Sequence, residues 1–166
     1  NLPLDMILIV KDHPVAHGKR SLNYYRKILE IPNVKLVNSR MNTLPLIENS
    51  QLVTNLAGSV AFEAILKGKP VISLGPDHHD ILPDSMIRFV KSPGNLFSEI
   101  CDLLQNYRLD KKALKCFIAA SMKNSIRVNL YSSLLGRPNR EIPNNFENNY
   151  NMEIESLSLY TLKKIK

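Results

Sequence analysis

Apolar and polar positions change period repeatedly along the first hundred residues, and each change marks an element. Met6-Ile-Leu-Ile-Val10 is a continuous apolar run that turns polar at Lys11-Asp-His-Pro14, which predicts a buried strand ending in a loop. Ser21 to Glu30 carries Leu22, Tyr25, Ile28 and Leu29 as a helical stripe, broken by Pro32-Asn33, and a second strand follows at Val34-Lys-Leu-Val37. Asn42 or Thr43 can cap a short helix from Leu44 to Asn49, where Pro45 occupies a first-turn position. Leu52 to Leu56 then reads as a strand. Ala57-Gly58-Ser59 forms a tight turn, and the helix that follows has Ser59 as its cap and is closed by Gly68 and Pro70. Val71-Ile-Ser-Leu74 reads as a strand of the sort found in a parallel sheet covered on both faces.

Further along, Ile87 to Val90 is expected as an edge strand and Pro93-Gly94 as a turn. Asn95 to Tyr107 places Leu96, Ile100, Leu103 and Leu104 at helical spacing, and Asp110 to about Leu135 continues as one or two covering helices ended by Gly136 and Pro138. The order βαβαβαβ with short connections predicts an α/β fold, a Rossmann-like parallel sheet with flanking helices, over residues 1–136. Residues 137–152, rich in Asn, read as a flexible linker, and 153–166 as a C-terminal helical extension.

At 166 residues the chain fits one domain, but it opens on Asn1 with a strand almost at once, which suggests a piece of a larger polypeptide. A formal charge of +7 biases it toward anionic partners: nucleotide, anionic lipid surface or nucleic acid. No basic patch with interleaved aromatics marks a nucleic-acid module, so nucleic acid is not expected as a partner. Cys101 and Cys116 stand apart in apolar helical patterns, as buried thiols of a reducing compartment would. With no signal-peptide pattern and no apolar run of membrane-spanning length, a cytoplasmic location is the default expectation.

Two strand ends carry candidate chemistry, because ligands of open α/β sheets gather where strands end. At the first, His13 offers an imidazole donor, Lys11 a charge, and Pro14 redirects the chain. At the second, the amides of Gly58 and Val60 and the Ser59 hydroxyl stand at a helix N-terminus, which favours a phosphate. Glu63 lies one turn on, where its carboxylate can accept from a pair of sugar hydroxyls. Phosphate and ribose together spell a nucleotide. Against this stand the plain alternatives of a helix cap, a solvated acid and a surface histidine. Pro76-Asp-His-His-Asp80 invites a metal reading, but adjacent histidines in a loop rarely both face one ion, so no metal site is expected there and the segment reads as a ligand-facing loop.

The ordered set Val10-Lys-Asp-His-Pro14, Ile31-Pro-Asn-Val-Lys-Leu-Val37, Gly58-Ser-Val-Ala-Phe-Glu-Ala64 and Gly68-Lys-Pro-Val-Ile-Ser-Leu-Gly75 resembles the capsule polysaccharide synthesis proteins, which include Kdo transferases. The resemblance covers about residues 6 to 75 and implies the C-terminal, donor-binding half of a GT-B glycosyltransferase. It implies that His13 and Ser59 hold the phosphate of a CMP- or UDP-linked nucleotide-sugar, that Glu63 binds ribose, and that Lys11, Pro14, Gly58 and Val60 line the site. It also implies a glycan or glycolipid acceptor, no cofactor, an N-terminal half that carries the catalytic base, and peripheral association at the inner face of a membrane. The acceptor half has no counterpart in these residues, and His78-His79 stand where relatives often carry an aromatic residue. Two other readings stay open. One is a sugar-nucleotide 2-epimerase, although Val60-Ala61 replaces the double glycine usual after that turn serine. The other is a non-catalytic α/β binding module.

Overall fold

Among the described residues every strand pairing is parallel, and each crossover between paired strands carries a helix or a single helical turn. The computed structural model describes residues 6–16, 18–126 and 146–165. Contacts divide the chain into two units, residues 1–114 and 115–166.

In the first unit, β1 (Leu8–Lys11) pairs with β2 (Val34–Val37), Leu8 opposite Val34 and Lys11 opposite Val37, with α1 (Leu22–Leu29) connecting them and packing on β2. Ser21 caps α1 by accepting the Tyr24 N–H. A second sheet has the order β3 (Val53–Asn55), β4 (Val71–Ser73), β5 (Ile87–Phe89). Before it comes α2 (Thr43–Asn49), where of the two expected caps Asn42 serves, accepting the Leu44 N–H. Between β3 and β4 runs α3 (Ser59–Leu66). The α/β Rossmann-like expectation therefore holds, with the parallel strands registered as two sheets, and β5 takes the expected edge.

The core is concentrated in the second sheet. All three residues of β4 are buried, Ser73 with its hydroxyl donating to the Gly75 carbonyl, whereas Leu74, expected in the strand, follows it and is 39% exposed. Ala61, Ala64 and Ile65 of α3 are fully buried, and the helix packs against β3 and β4. Ile72 of β4 meets Val90 and also Ile100 and Leu103 of α4 (Leu96–Asn106). The first sheet differs from expectation. Met6 to Val10 was expected to be buried by composition, yet β1 contains no buried residue and Ile9 is 43% exposed. The reason is geometric: two strands bonded only to each other shield less surface than a three-stranded sheet covered by helices.

α5 (Lys111–Lys123) begins in the first unit, capped by Asp110, whose carboxylate accepts the Lys112 and Ala113 N–H groups. In the second unit α6 (Phe146–Ile165) is helical from Phe146, so the last part of the expected linker joins the helix instead. Asn-rich sequence disfavours helix only weakly, and the apolar residues from Ile154 onward continue its pattern. Residues 137–145, the rest of that linker, lie outside the described residues. Tyr160 donates its hydroxyl to the Asn124 carbonyl within this unit. The expectation of two buried thiols fails: Cys101 is half-buried and Cys116 exposed, because helical spacing does not say which helix face is covered. Among the described residues no helix is long and apolar enough to cross a membrane.

Candidate functional site

The loop leaving β1 is held by its aspartate. Asp12 Oδ2 accepts from Arg20 Nε at 2.9 Å and from the Tyr25 hydroxyl at 3.2 Å, and Oδ1 accepts the His13 N–H at 3.0 Å. The Arg20 hydrogen bond, supported by the His13 amide, holds the Asp12 carboxyl below the ordinary carboxylate range. Arg20 also lies 4.8 Å over the Tyr24 ring. Lys11 closes β1, Pro14 opens a single helical turn to Ala16, and His13 is exposed between them. His13 Nδ1 accepts the Val15 N–H at 3.1 Å, which leaves the proton of the neutral ring on Nε2 as a donor.

The loop leaving β3 opens α3 one residue earlier than a Ser59 cap would place it. Gly58 is the cap residue, with φ 109° and ψ −178°, a conformation close to glycine-only, and Ser59 is the first helical residue. Ser59 could not cap because its hydroxyl is turned along the helix, donating to Glu63 Oε1 at 2.8 Å. The structure thus brings Ser59 and Glu63 together on one side of α3. Val60 is half-buried beside them. Among the described residues no hydrogen bond or ion pair links the His13 loop to the Ser59 loop.

Asp77 is a residue whose part in this region sequence reasoning missed. Its Oδ2 accepts the Gly58 N–H at 2.9 Å, so an anionic group from the loop after β4 already stands at the opening of α3. Asp77 also caps the helical turn His78–Ile81, with a reciprocal bond from its own N–H to Asp80 Oδ2 at 2.8 Å. Both neighbouring imidazoles turn back onto it: His78 Nδ1 lies 2.5 Å and His79 Nδ1 3.3 Å from Asp77 Oδ1. Adjacent histidines in a loop rarely face one ion, yet both here face one carboxylate oxygen. The tight helical turn swings both side chains to the cap, and His79 is fixed by stacking on Phe62, centroids 5.2 Å apart. Burial tends to raise the Asp77 carboxyl, but the Gly58 and His78 amides and the two imidazoles outweigh it, leaving it below its ordinary value. Burial, together with the His78 charge, lowers His79.

Two further features bear on the region. Gly75 packs so closely on the Leu56 carbonyl that a Cβ there would collide with it, which draws the β4 exit against the β3 exit. Asn55, the last residue of β3, buries both carboxamide polar atoms with no hydrogen-bond partner. Such groups are uncommon in folded proteins and call for a partner. The signal in the sequence was a lone Asn closing an apolar strand. A separate cleft of about 300 Å³, lined by Asp84, Arg88, Phe89 and Glu99, lies at β5, where Arg88 is engaged by Glu99 at 3.0 Å and Asp102 at 2.5 Å.

Residues 1–82 match the family of capsule polysaccharide biosynthesis proteins. That stretch includes β1 through β4 and every loop described above, and the match supports a biosynthetic role in capsule polysaccharide formation. No curated protein and no solved structure matches the chain.

Proposed function

We propose that this chain is the donor-binding part of a GT-B glycosyltransferase that moves a sugar from a CMP- or UDP-linked nucleotide to a glycan or glycolipid acceptor in capsule synthesis. One observation carries the reading. The first residue of α3 places a hydroxyl within 2.8 Å of a carboxylate one turn on, just after β3, which supports a donor for phosphate beside an acceptor for ribose hydroxyls. His13, with its ring proton on Nε2, supplies a second phosphate donor, and Lys11 adds charge. Asn55 adds an unmatched carboxamide at the same strand end. The family match over residues 1–82 supports the pathway.

In that role the chain acts on the leaving group. As the anomeric bond breaks, charge grows on the departing phosphate. The Ser59 hydroxyl, the Val60 amide, Lys11 and His13 stabilise it, one such donor being worth roughly 3 kcal/mol in a transition state. The base that deprotonates the acceptor belongs to the N-terminal half of such an enzyme.

Calorimetric titration with CMP, UDP and their sugars tests this. Saturable binding is expected, weakened about tenfold or more in His13→Ala and in Ser59→Ala. Affinity unchanged in both variants would remove the proposal.

A further inference from the structure

We propose that Asp77, His78 and His79 hold a divalent transition-metal ion of the zinc class. Each of the three residues offers one ligand atom, and these atoms lie within 4.8 Å of one another. Metal bonds of about 2.0–2.2 Å in tetrahedral geometry set ligand atoms roughly 3.3 Å apart. The His79–Asp77 separation of 3.3 Å already fits, and His78, at 2.5 Å on a side chain 72% exposed, needs only a small outward rotation. Two imidazoles with a carboxylate suit zinc, cobalt or nickel rather than calcium or magnesium, which take oxygen ligands.

The surroundings are those of a supported ligand set. Asp77 Oδ2 is fixed by the Gly58 N–H, and the His79 ring by its stacking on Phe62, so two of the three ligands are oriented by groups outside the site. Asp80 is an independent sign. Its Oδ2 accepts the Asp77 N–H, whereas its Oδ1 is buried with no hydrogen-bond partner, as an oxygen would be that meets a cation's bound water. Binding requires each Nδ1 without its proton, so a neutral ring carries its proton on Nε2, and Asp77 presents to the ion the Oδ1 that also accepts the His78 N–H while Oδ2 keeps the Gly58 N–H. The ion would lie beside the opening of α3, adding a fixed positive charge there. The inference stands on this loop alone and does not depend on the nucleotide-sugar reading.

The test uses the full chain, free of any affinity tag and stripped with chelator, titrated with Co²⁺ and then Zn²⁺. One Co²⁺ per chain is expected, with visible bands of nitrogen and oxygen coordination and no thiolate charge-transfer band, displaced by Zn²⁺. His78→Ala removes a ligand without touching the backbone cap, so it should weaken Co²⁺ at least tenfold while leaving the melting temperature of the metal-free protein unchanged. His13→Ala should bind as the natural chain does. Absence of Co²⁺ binding by the natural chain, or equal affinity in His78→Ala, overturns the proposal.

Discussion

The amide of Gly58 donates to Asp77 Oδ2 at 2.9 Å, joining the loop after β3 to the loop after β4. One carboxylate therefore serves two helical starts, α3 through Gly58 and the turn after Asp77 through the His78 N–H at 2.7 Å. Losing a capping oxygen costs about 1 kcal/mol, and an amide left unmatched adds to that. Asp77→Ala should lower stability by about 1–2 kcal/mol in urea unfolding, and Asp77→Asn by less, since the amide oxygen still accepts. Equal losses in both would show that charge, not acceptance, is what matters there.

Gly58 and Gly75 should fail for different reasons. At Gly58 nothing lies within 4 Å of an added Cβ, so the cost of Gly58→Ala is the backbone conformation alone, about 1–3 kcal/mol. At Gly75 the backbone is ordinary and the obstacle is the Leu56 carbonyl, so Gly75→Ala must push the two loops apart. Unfolding midpoints should fall in both. Amide exchange separates them: Gly75→Ala should loosen the residues on both sides of Leu56, while Gly58→Ala loosens the first turn of α3.

Ile72 is fully buried among Val90, Ile100 and Leu103, where β4 meets α4. Truncation of such a side chain removes transfer energy and leaves a cavity, about 2–5 kcal/mol together. Ile72→Ala should lower the unfolding free energy read from urea titration by that amount, whereas Ile9→Ala, on a strand with no buried residue, should cost far less. The comparison measures how unequally the two sheets carry the fold.

That inequality shows where sequence reasoning reached its limit. Val71 and Ile72 mark a strand covered on both faces because adjacent β-branched residues point to opposite sides of a sheet, and Ser73 is buried with them. Met6 to Val10 is more apolar still, but its exposure depends on how many neighbours the strand acquires, which is a tertiary matter. The Ser59–Glu63 pairing was legible from helical spacing. The convergence of Asp77, His78 and His79 was not, since it arises from a four-residue helical turn with an aspartate cap that short-range patterns do not resolve. The approach of Gly75 to Leu56 joins two residues 19 positions apart in the chain, and only the packed sheet reveals it.

Asp12 sets a pH dependence whose sign is fixed. The Arg20 bond depresses its folded carboxyl below the ordinary 3.8, so folding favours the ionised form. That stability is fully present above the ordinary value and is lost as pH falls through the depressed one. The melting temperature should therefore drop below about pH 4, and Asp12→Asn, which cannot ionise, should flatten that part of the profile. Persistence of the full slope in Asp12→Asn would assign it to other carboxylates.

Ser59 and Glu63 allow function to be separated from helix stability. An exposed pair at this spacing contributes only about 0.2–0.5 kcal/mol to a helix. In a double-mutant cycle with Ser59→Ala and Glu63→Gln, the coupling read from urea unfolding should stay within that range. If the hydroxyl meets phosphate and the carboxylate meets ribose, each single change should weaken nucleotide-sugar binding about tenfold, a loss larger than the stability coupling can produce. Glu63→Gln should also narrow the difference in affinity between ribose and deoxyribose nucleotides, because the amide accepts from a vicinal hydroxyl pair less well than a carboxylate does. Binding that tracks the small stability change, with no shift in sugar preference, would mean that the pair serves the helix and nothing more.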